Sequence, residues 1–224
     1  MKEGDPGLHV VVSDSVGALV QNVLGNLDLD EQVIEVDAVL KQVFVALQLT
    51  GKAPQSGAGL CLTKILQNSP VNALRRLTGS IIKRIQESLG HGNCKCQQQL
   101  LESVIALVLA VSDDFAPFLA PFMPLLIDQT KQTDWNVKKT AIDVVYTLAS
   151  MLKPQTALYK RELLQVLKQQ RFEKVKPVRD AASEALIAVQ QLPGDSIMSD
   201  QDEDNTLTYS KRSEPATTLQ QLKR

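Results

Sequence analysis

Residues 133–152 read TDWNVKKTAIDVVYTLASML, and residues 173–192 read EKVKPVRDAASEALIAVQQL. Both stretches place apolar or small residues at helical spacing, and the two patterns coincide when one is shifted by 41 residues. The matched pairs are Val137 with Val178, Ala141 with Ala182, and Leu148 with Val189. An internal repeat at a fixed interval is typical of proteins built from stacked, similar structural units.

The same 41-residue interval continues toward the N-terminus without gaps. It joins Phe122 to Ile81 and Leu40, and Leu126 to Ile85 and Phe44. A unit of this length that contains two helices is typical of HEAT and armadillo repeats. The sequence therefore predicts an all-α, HEAT/armadillo-type solenoid of about four helix pairs, preceded by a lone N-terminal helix.

The repeat register predicts where each helix lies. We expect the first helices of the pairs at residues 32–49, 70–89, 115–131 and 155–171. We expect their partners at 54–68, 95–112, 135–152 and 177–191, and the lone helix at 13–27. Pro177 suits a helix start because a missing N–H costs nothing there, and Asp134 can cap the start of its helix.

Composition and repeat pattern together divide the chain into three parts. We predict a disordered N-terminus at residues 1–12, a repeat array at 13–192 that is truncated on its N-terminal side, and a disordered polar tail at 193–224. Because the predicted array begins in the middle of a repeat, we expect missing repeats or another docked chain at that end.

Composition also limits the class of function. The formal net charge is −1, and residues 131–194 hold 11 basic and 6 acidic side chains, which is too weak a field to indicate nucleic-acid binding. We expect no membrane partner, because no apolar run reaches the roughly 18–20 residues of a transmembrane helix. The three cysteines fit reduced thiols in the cytosol or nucleus better than a disulfide framework.

Neither a metal site nor a catalytic site is predicted. His91, Cys94 and Cys96 lie close together, but a zinc site normally takes four ligands and no second pair is present in the sequence. The repeat register instead matches Cys96 to Val137, which favours a buried core position. The only histidines, His9 and His91, lie in no nucleophile motif. We therefore expect no enzyme and no cofactor.

A basic cluster lies at the last predicted turn, RFEKVKPVR, and it has two interpretations. It is either a solvated helix start, with Phe172 packed into the core, or a rim that contacts an acidic partner. The cationic members are Arg171, Lys174, Lys176 and Arg179.

Three stretches carry a family likeness: QQRFEKVKPVRDAASEAL, the TDW-containing repeat before it, and APQSGAGLCLTKIL. They resemble the HEAT-repeat domain of the plant Tortifolia/Spiral-type microtubule-associated proteins. The likeness covers about residues 32–192 and corresponds to the C-terminal part of that family's domain. It implies a TOG-like, non-catalytic module that binds tubulin or microtubules, regulates microtubule organisation and lies on the cytoskeleton in the cytoplasm.

The resemblance also implies which residues bind. In TOG domains the turns inside the helix pairs line up along one edge that faces tubulin, so the basic and aromatic residues of these turns form the expected binding edge. They are Lys52, Lys95, Trp135, Lys138, Arg171, Lys174, Lys176 and Arg179. The alternative is a general HEAT-repeat scaffold that binds a partner on its concave face.

Overall fold

Helices account for all regular secondary structure between residues 6 and 193, the part of the chain that the computed structural model describes. Two 3-10 turns lie at Ser112–Phe115 and Ala157–Tyr159. The helices are α1 (Pro6–Leu24), α2 (Leu29–Leu47), α3 (Lys52–Asn68), α4 (Val71–Gly90), α5 (Gln97–Val111), α6 (Ala116–Gln129), α7 (Trp135–Met151), α8 (Lys153–Thr156), α9 (Lys160–Gln170) and α10 (Lys176–Gln190).

The helices form two layers. In one layer α1, α3, α5, α7 and α10 pack side by side in chain order. In the other layer α2 packs against α4, α4 against α6, and α6 against α8. Each second helix also packs against its own first helix, in the pairs α2–α3, α4–α5, α6–α7 and α9–α10. The predicted all-α repeat solenoid of four helix pairs with an additional N-terminal helix is confirmed.

The core lies between the layers and follows the repeat register. Phe122 is fully buried and meets Phe115 edge to face, with ring centroids 6.1 Å apart. Such pairs add about 0.5–1.5 kcal/mol beyond area burial. Small residues set the spacing within a layer: a Cβ on Gly59 would lie 2.6 Å from the Cβ of Gln99, so only glycine allows α3 and α5 to approach this closely.

Two predicted boundaries are corrected by the structure. Residues 6–12, predicted to be disordered, belong to α1, whose inward face continues from Val16 back through the buried Ser13 to His9, which lies beside Gly57 of α3. The predicted helix 155–171 is divided into α8, a 3-10 turn and α9. The predicted disordered tail, 193–224, lies outside the described residues except for Pro193.

Two segments between residues 6 and 193 are apolar and long enough, on length and composition alone, to cross a membrane. They are Gly7–Leu24, with a mean hydropathy of 1.2, and Gln97–Gln129, with 1.7, so the expectation that no such run exists is wrong. Gln97–Gln129 comprises α5, a 3-10 turn and α6, whose buried faces form the centre of the core. Its apolar character is explained by that packing.

Candidate binding edge at the intra-repeat turns

The four turns inside the helix pairs are residues 48–51, 91–96, 130–134 and 171–175, and we call them together the turn edge. The first two turns are joined through the buried Gln55 side chain. Its Nε2 donates to the Leu49 carbonyl at 2.9 Å and to the Asn93 carbonyl at 3.4 Å, and its Oε1 accepts from the Lys95 backbone N–H at 2.6 Å. Adjacent turns therefore lie side by side.

The contacts continue along the edge. Lys52, Lys95, Asp134 and Asn136 line one groove of about 330 Å³, which places the first three turns around a common surface. The third repeat is tied to the fourth by an ion pair between the Lys138 ammonium and the Glu173 carboxylate. The four turns thus form one continuous edge, as stacking of equal repeats requires.

Local sequence explains how the turns are held. Gly51 adopts φ 112°, a left-handed conformation that favours glycine, immediately before Lys52 at the start of α3. At the third turn the Asp134 carboxylate accepts the Asn136 N–H at 2.9 Å and caps α7, as the sequence predicted. Trp135, the first residue of α7, is 42% exposed.

The fourth turn is closed by the side chain of Arg179. One guanidinium nitrogen donates to the carbonyls of Glu173 and Lys174, both at 2.8 Å. The Glu173 carboxylate in turn accepts the Lys174 N–H at 2.8 Å as well as the Lys138 ammonium. Arg179 and Lys138, both predicted to be binding residues, therefore hold the turn in shape, and Lys138 is only 13% exposed.

The Lys138 ammonium, with help from the Lys174 backbone N–H, holds the pKa of the Glu173 carboxyl below its ordinary value of 4.5. Since the folded pKa is the lower one, this contact stabilises the fold above pH 4.5 and is lost as the pH falls through the folded pKa. In Lys138→Met we expect the Glu173 pKa to rise toward its ordinary value, which an NMR titration of the side-chain carboxyl carbon measures. An unchanged pKa in the variant would contradict this attribution.

Phe172 is a surface residue that sequence reasoning misplaced. The interpretation that packs it into the core is wrong, because its side chain is 87% exposed. The repeat register contained a signal: 41 residues earlier stands Lys131, which is also exposed. Phe172 lies directly after Arg171 in the fourth turn, so the edge carries an unburied aromatic side chain among cations.

The remaining predicted site residues are accessible. Lys52 and Lys95 are exposed in the first half of the edge. Arg171, Lys174 and Lys176 are exposed at the fourth turn and have no ion-pair partner among the described residues. The fourth turn is therefore the most cationic accessible part of the edge. No group of three or more His, Cys, Asp or Glu side chains suited to a metal ion occurs between residues 6 and 193.

Two of the known proteins that resemble this chain have related names. The chain is 25% identical over 205 residues to "Microtubule-associated protein TORTIFOLIA1" from Arabidopsis thaliana, covering 87% of this chain and 23% of the relative. It is 26% identical over 201 residues to TORTIFOLIA1-like protein 1 from the same plant, covering 87% of this chain and 24% of the relative. The chain thus spans about a quarter of the length of these relatives.

A crystal structure of an engineered protein has the same fold. Its TM-score is 0.58 at 16% sequence identity, over 79% of this chain and 44% of the other. At this identity the likeness concerns the fold alone.

The family model described as TORTIFOLIA1 N-terminal matches residues 1–191. The likeness therefore begins at residue 1, not near residue 32, and it includes α1. The assignment of the chain to the C-terminal part of the family's domain was wrong, because the matching model is that of the N-terminal region. Since the match covers every described helix, the chain belongs to the TORTIFOLIA1 N-terminal family.

Proposed function

We propose that this chain is a non-catalytic microtubule-binding module that contacts tubulin through the turn edge. The observation that carries the proposal is the fourth turn, where the exposed Phe172 stands among the exposed cations Arg171, Lys174 and Lys176. A relative that is named as microtubule-associated supports the choice of partner. On this proposal the protein acts on the cytoskeleton in the cytoplasm.

The charge and the aromatic ring have different roles in this mechanism. Tubulin is acidic, so the cations accelerate encounter and orient the module, and their effect weakens with salt because the Debye length is about 10 Å at 0.1 M ionic strength. Phe172 supplies apolar area that is removed from water on contact, which is the usual property of an interface anchor. Lys52 and Lys95 extend the same edge across the preceding repeats.

Arg179 and Lys138 serve the proposed site indirectly. They hold the backbone of the fourth turn through Glu173, so the neighbouring lysines and Phe172 keep a fixed arrangement. A preformed turn loses less conformational entropy on binding than a mobile one. This is why the two residues are better tested as positioning residues than as contacts.

A second candidate surface lies on the layer that contains α7 and α10. Tyr146 and Ile187, one repeat apart in sequence, are both exposed and line a groove of about 350 Å³ together with Glu184 and Lys153. This groove would suit the alternative function, a scaffold that binds a peptide or protein on a helical face. Substitutions in the turn edge leave this groove intact, so a loss of binding in those variants assigns the interaction to the turn edge.

Phe172→Ala is expected to weaken microtubule affinity about tenfold, as loss of an interface anchor does. Co-sedimentation with stabilised microtubules at low and high salt measures the affinity. Leu158→Ala is the matched control, because Leu158 is also 82% exposed but lies in the turn between the last two repeats. If both variants bind microtubules as tightly as the wild type, Phe172 does not contribute to the interface.

A further inference from the structure

Cys94 and Cys96 lie on either side of Lys95 in the second turn, where the backbone bends. Their sulfur atoms are 3.9 Å apart. Cys94 is half-buried, and Cys96 is buried at the start of α5. Both line an open cavity of about 490 Å³ whose wall also includes His91 and Asn93. A small oxidant therefore has access to the Cys94 thiol, which already contacts the buried Cys96 thiol.

We propose that Cys94 and Cys96 form an oxidisable dithiol, which a hydroperoxide converts into an intrachain disulfide within the second turn. The proposal identifies a modification site that the binding function does not require. It rests on the contact between the two sulfurs and on their shared, accessible cavity.

The oxidation requires one thiol that ionises readily and a second that stays protonated until the first has reacted, and the pKa values of Cys94 and Cys96 are shifted in these opposite directions. A hydrogen bond from the Cys96 thiol, together with the Cys96 backbone N–H and the Lys95 charge, lowers the pKa of Cys94 to about 7 in spite of partial burial. The same hydrogen bond raises the pKa of Cys96, and burial raises it further. Since the thiolate is the nucleophile, Cys94 reacts first.

The reaction balances with hydrogen peroxide as the oxidant. The Cys94 thiolate attacks one peroxide oxygen, the O–O bond breaks, and the departing hydroxide takes up a proton to give water and Cys94 sulfenic acid. Cys96 then attacks the Cys94 sulfur, the S–O bond breaks, and the Cys96 proton joins the leaving hydroxide as a second water. The negative charge on Cys94 that raised the Cys96 pKa is absent by then, so the second thiol ionises more easily.

The disulfide would act directly on the turn edge. Lys95 lies inside the small ring that the bond closes, and its backbone N–H is the group that Gln55 holds against the first turn. Ring closure constrains the two residues on either side of this contact, so the direction of Lys95 changes. This consequence, unlike the disulfide itself, rests on the proposed microtubule-binding function.

The test is intact-mass analysis of the full chain treated with hydrogen peroxide. We expect a loss of two hydrogen atoms, with peptide mapping that joins Cys94 to Cys96, in both the wild type and Cys61→Ser. Cys61 is the matched control, because burial raises its pKa and it lies on a different element, α3. In Cys96→Ser the reaction should stop at Cys94 sulfenic acid, which dimedone traps.

The pH dependence gives a second readout. Alkylation of Cys94 should be half-maximal near pH 7, whereas alkylation of Cys61 should still be rising at about pH 9. Wild-type protein that gains oxygen without losing two hydrogens, or that joins Cys61 to either partner, would overturn the proposal. Microtubule co-sedimentation of the oxidised protein tests the effect on the turn edge. If the disulfide forms but microtubule binding is unchanged, that effect is refuted and the disulfide proposal stands.

Discussion

The triple variant Arg171→Glu, Lys174→Glu and Lys176→Glu is expected to lower microtubule affinity about 100-fold at low salt. An exposed ion pair contributes about 0.2–1 kcal/mol, and reversal replaces that attraction with a repulsion of similar size. Three reversals therefore cost about 3 kcal/mol, and every 1.4 kcal/mol is about tenfold in affinity. Co-sedimentation at several salt concentrations measures both the affinity and its salt dependence, which should be reduced in the variant.

The matched control reverses three exposed cations that lie away from the turns. Arg76 and Lys83 are on α4, and Arg161 is at the start of α9. Arg76→Glu, Lys83→Glu and Arg161→Glu together change the net charge by the same amount and lie outside both candidate surfaces, so they test whether position or total charge matters. We expect this control to retain most of the binding.

Arg179 is left unchanged in the edge variant because its side chain closes the fourth turn. Binding equal to wild type by a folded edge variant would contradict the proposed surface. In that case the groove beside Tyr146 and Ile187 becomes the surface to test next.

Phe122→Ala is expected to destabilise the fold by about 3–5 kcal/mol, the usual cost of removing a large aromatic side chain from a core. Phe122 is fully buried and loses its edge-to-face contact with Phe115 in this variant. The cavity would lie between α6 and its neighbours in the middle of the array. Urea unfolding followed by circular dichroism measures the loss as a lower midpoint.

Phe172→Ala is the control for this measurement, since the same atoms are removed from an exposed position. Surface substitutions usually change stability by less than about 0.5 kcal/mol, so its unfolding midpoint should match the wild type. The two phenylalanine variants then separate stability from binding: Phe122→Ala loses stability, and Phe172→Ala loses affinity. Equal midpoints for both would show that Phe122 is not packed as described.

Much of the edge could be located from sequence, because helix pairs that repeat at a fixed interval bring their turns to one side of the array. The helix-pair register placed Lys52, Lys95 and Lys174 at or beside the turns, whereas their selection as binding residues came from the family resemblance. The sequence did not show which of the turn cations form ion pairs, since a pair such as Lys138 with Glu173 joins residues that are 35 apart in sequence. Helical spacing describes neighbours on one helix and carries no information about which charges meet between helices.

The repeat, the helix pairs and most buried faces could be predicted from the amino-acid sequence, because apolar residues at a 3.6-residue period and a fixed 41-residue interval indicate helix pairs that stack on one another. Which side chains of the turns stay accessible became evident from the three-dimensional contacts. It directs Arg179 onto backbone carbonyls and brings the sulfurs of Cys94 and Cys96 into contact, and it leaves Phe172 in solvent. Turn side chains lack a periodic constraint, so their directions depend on the backbone of their own turn, as for Arg179, and on contacts with the next repeat, as for Lys138.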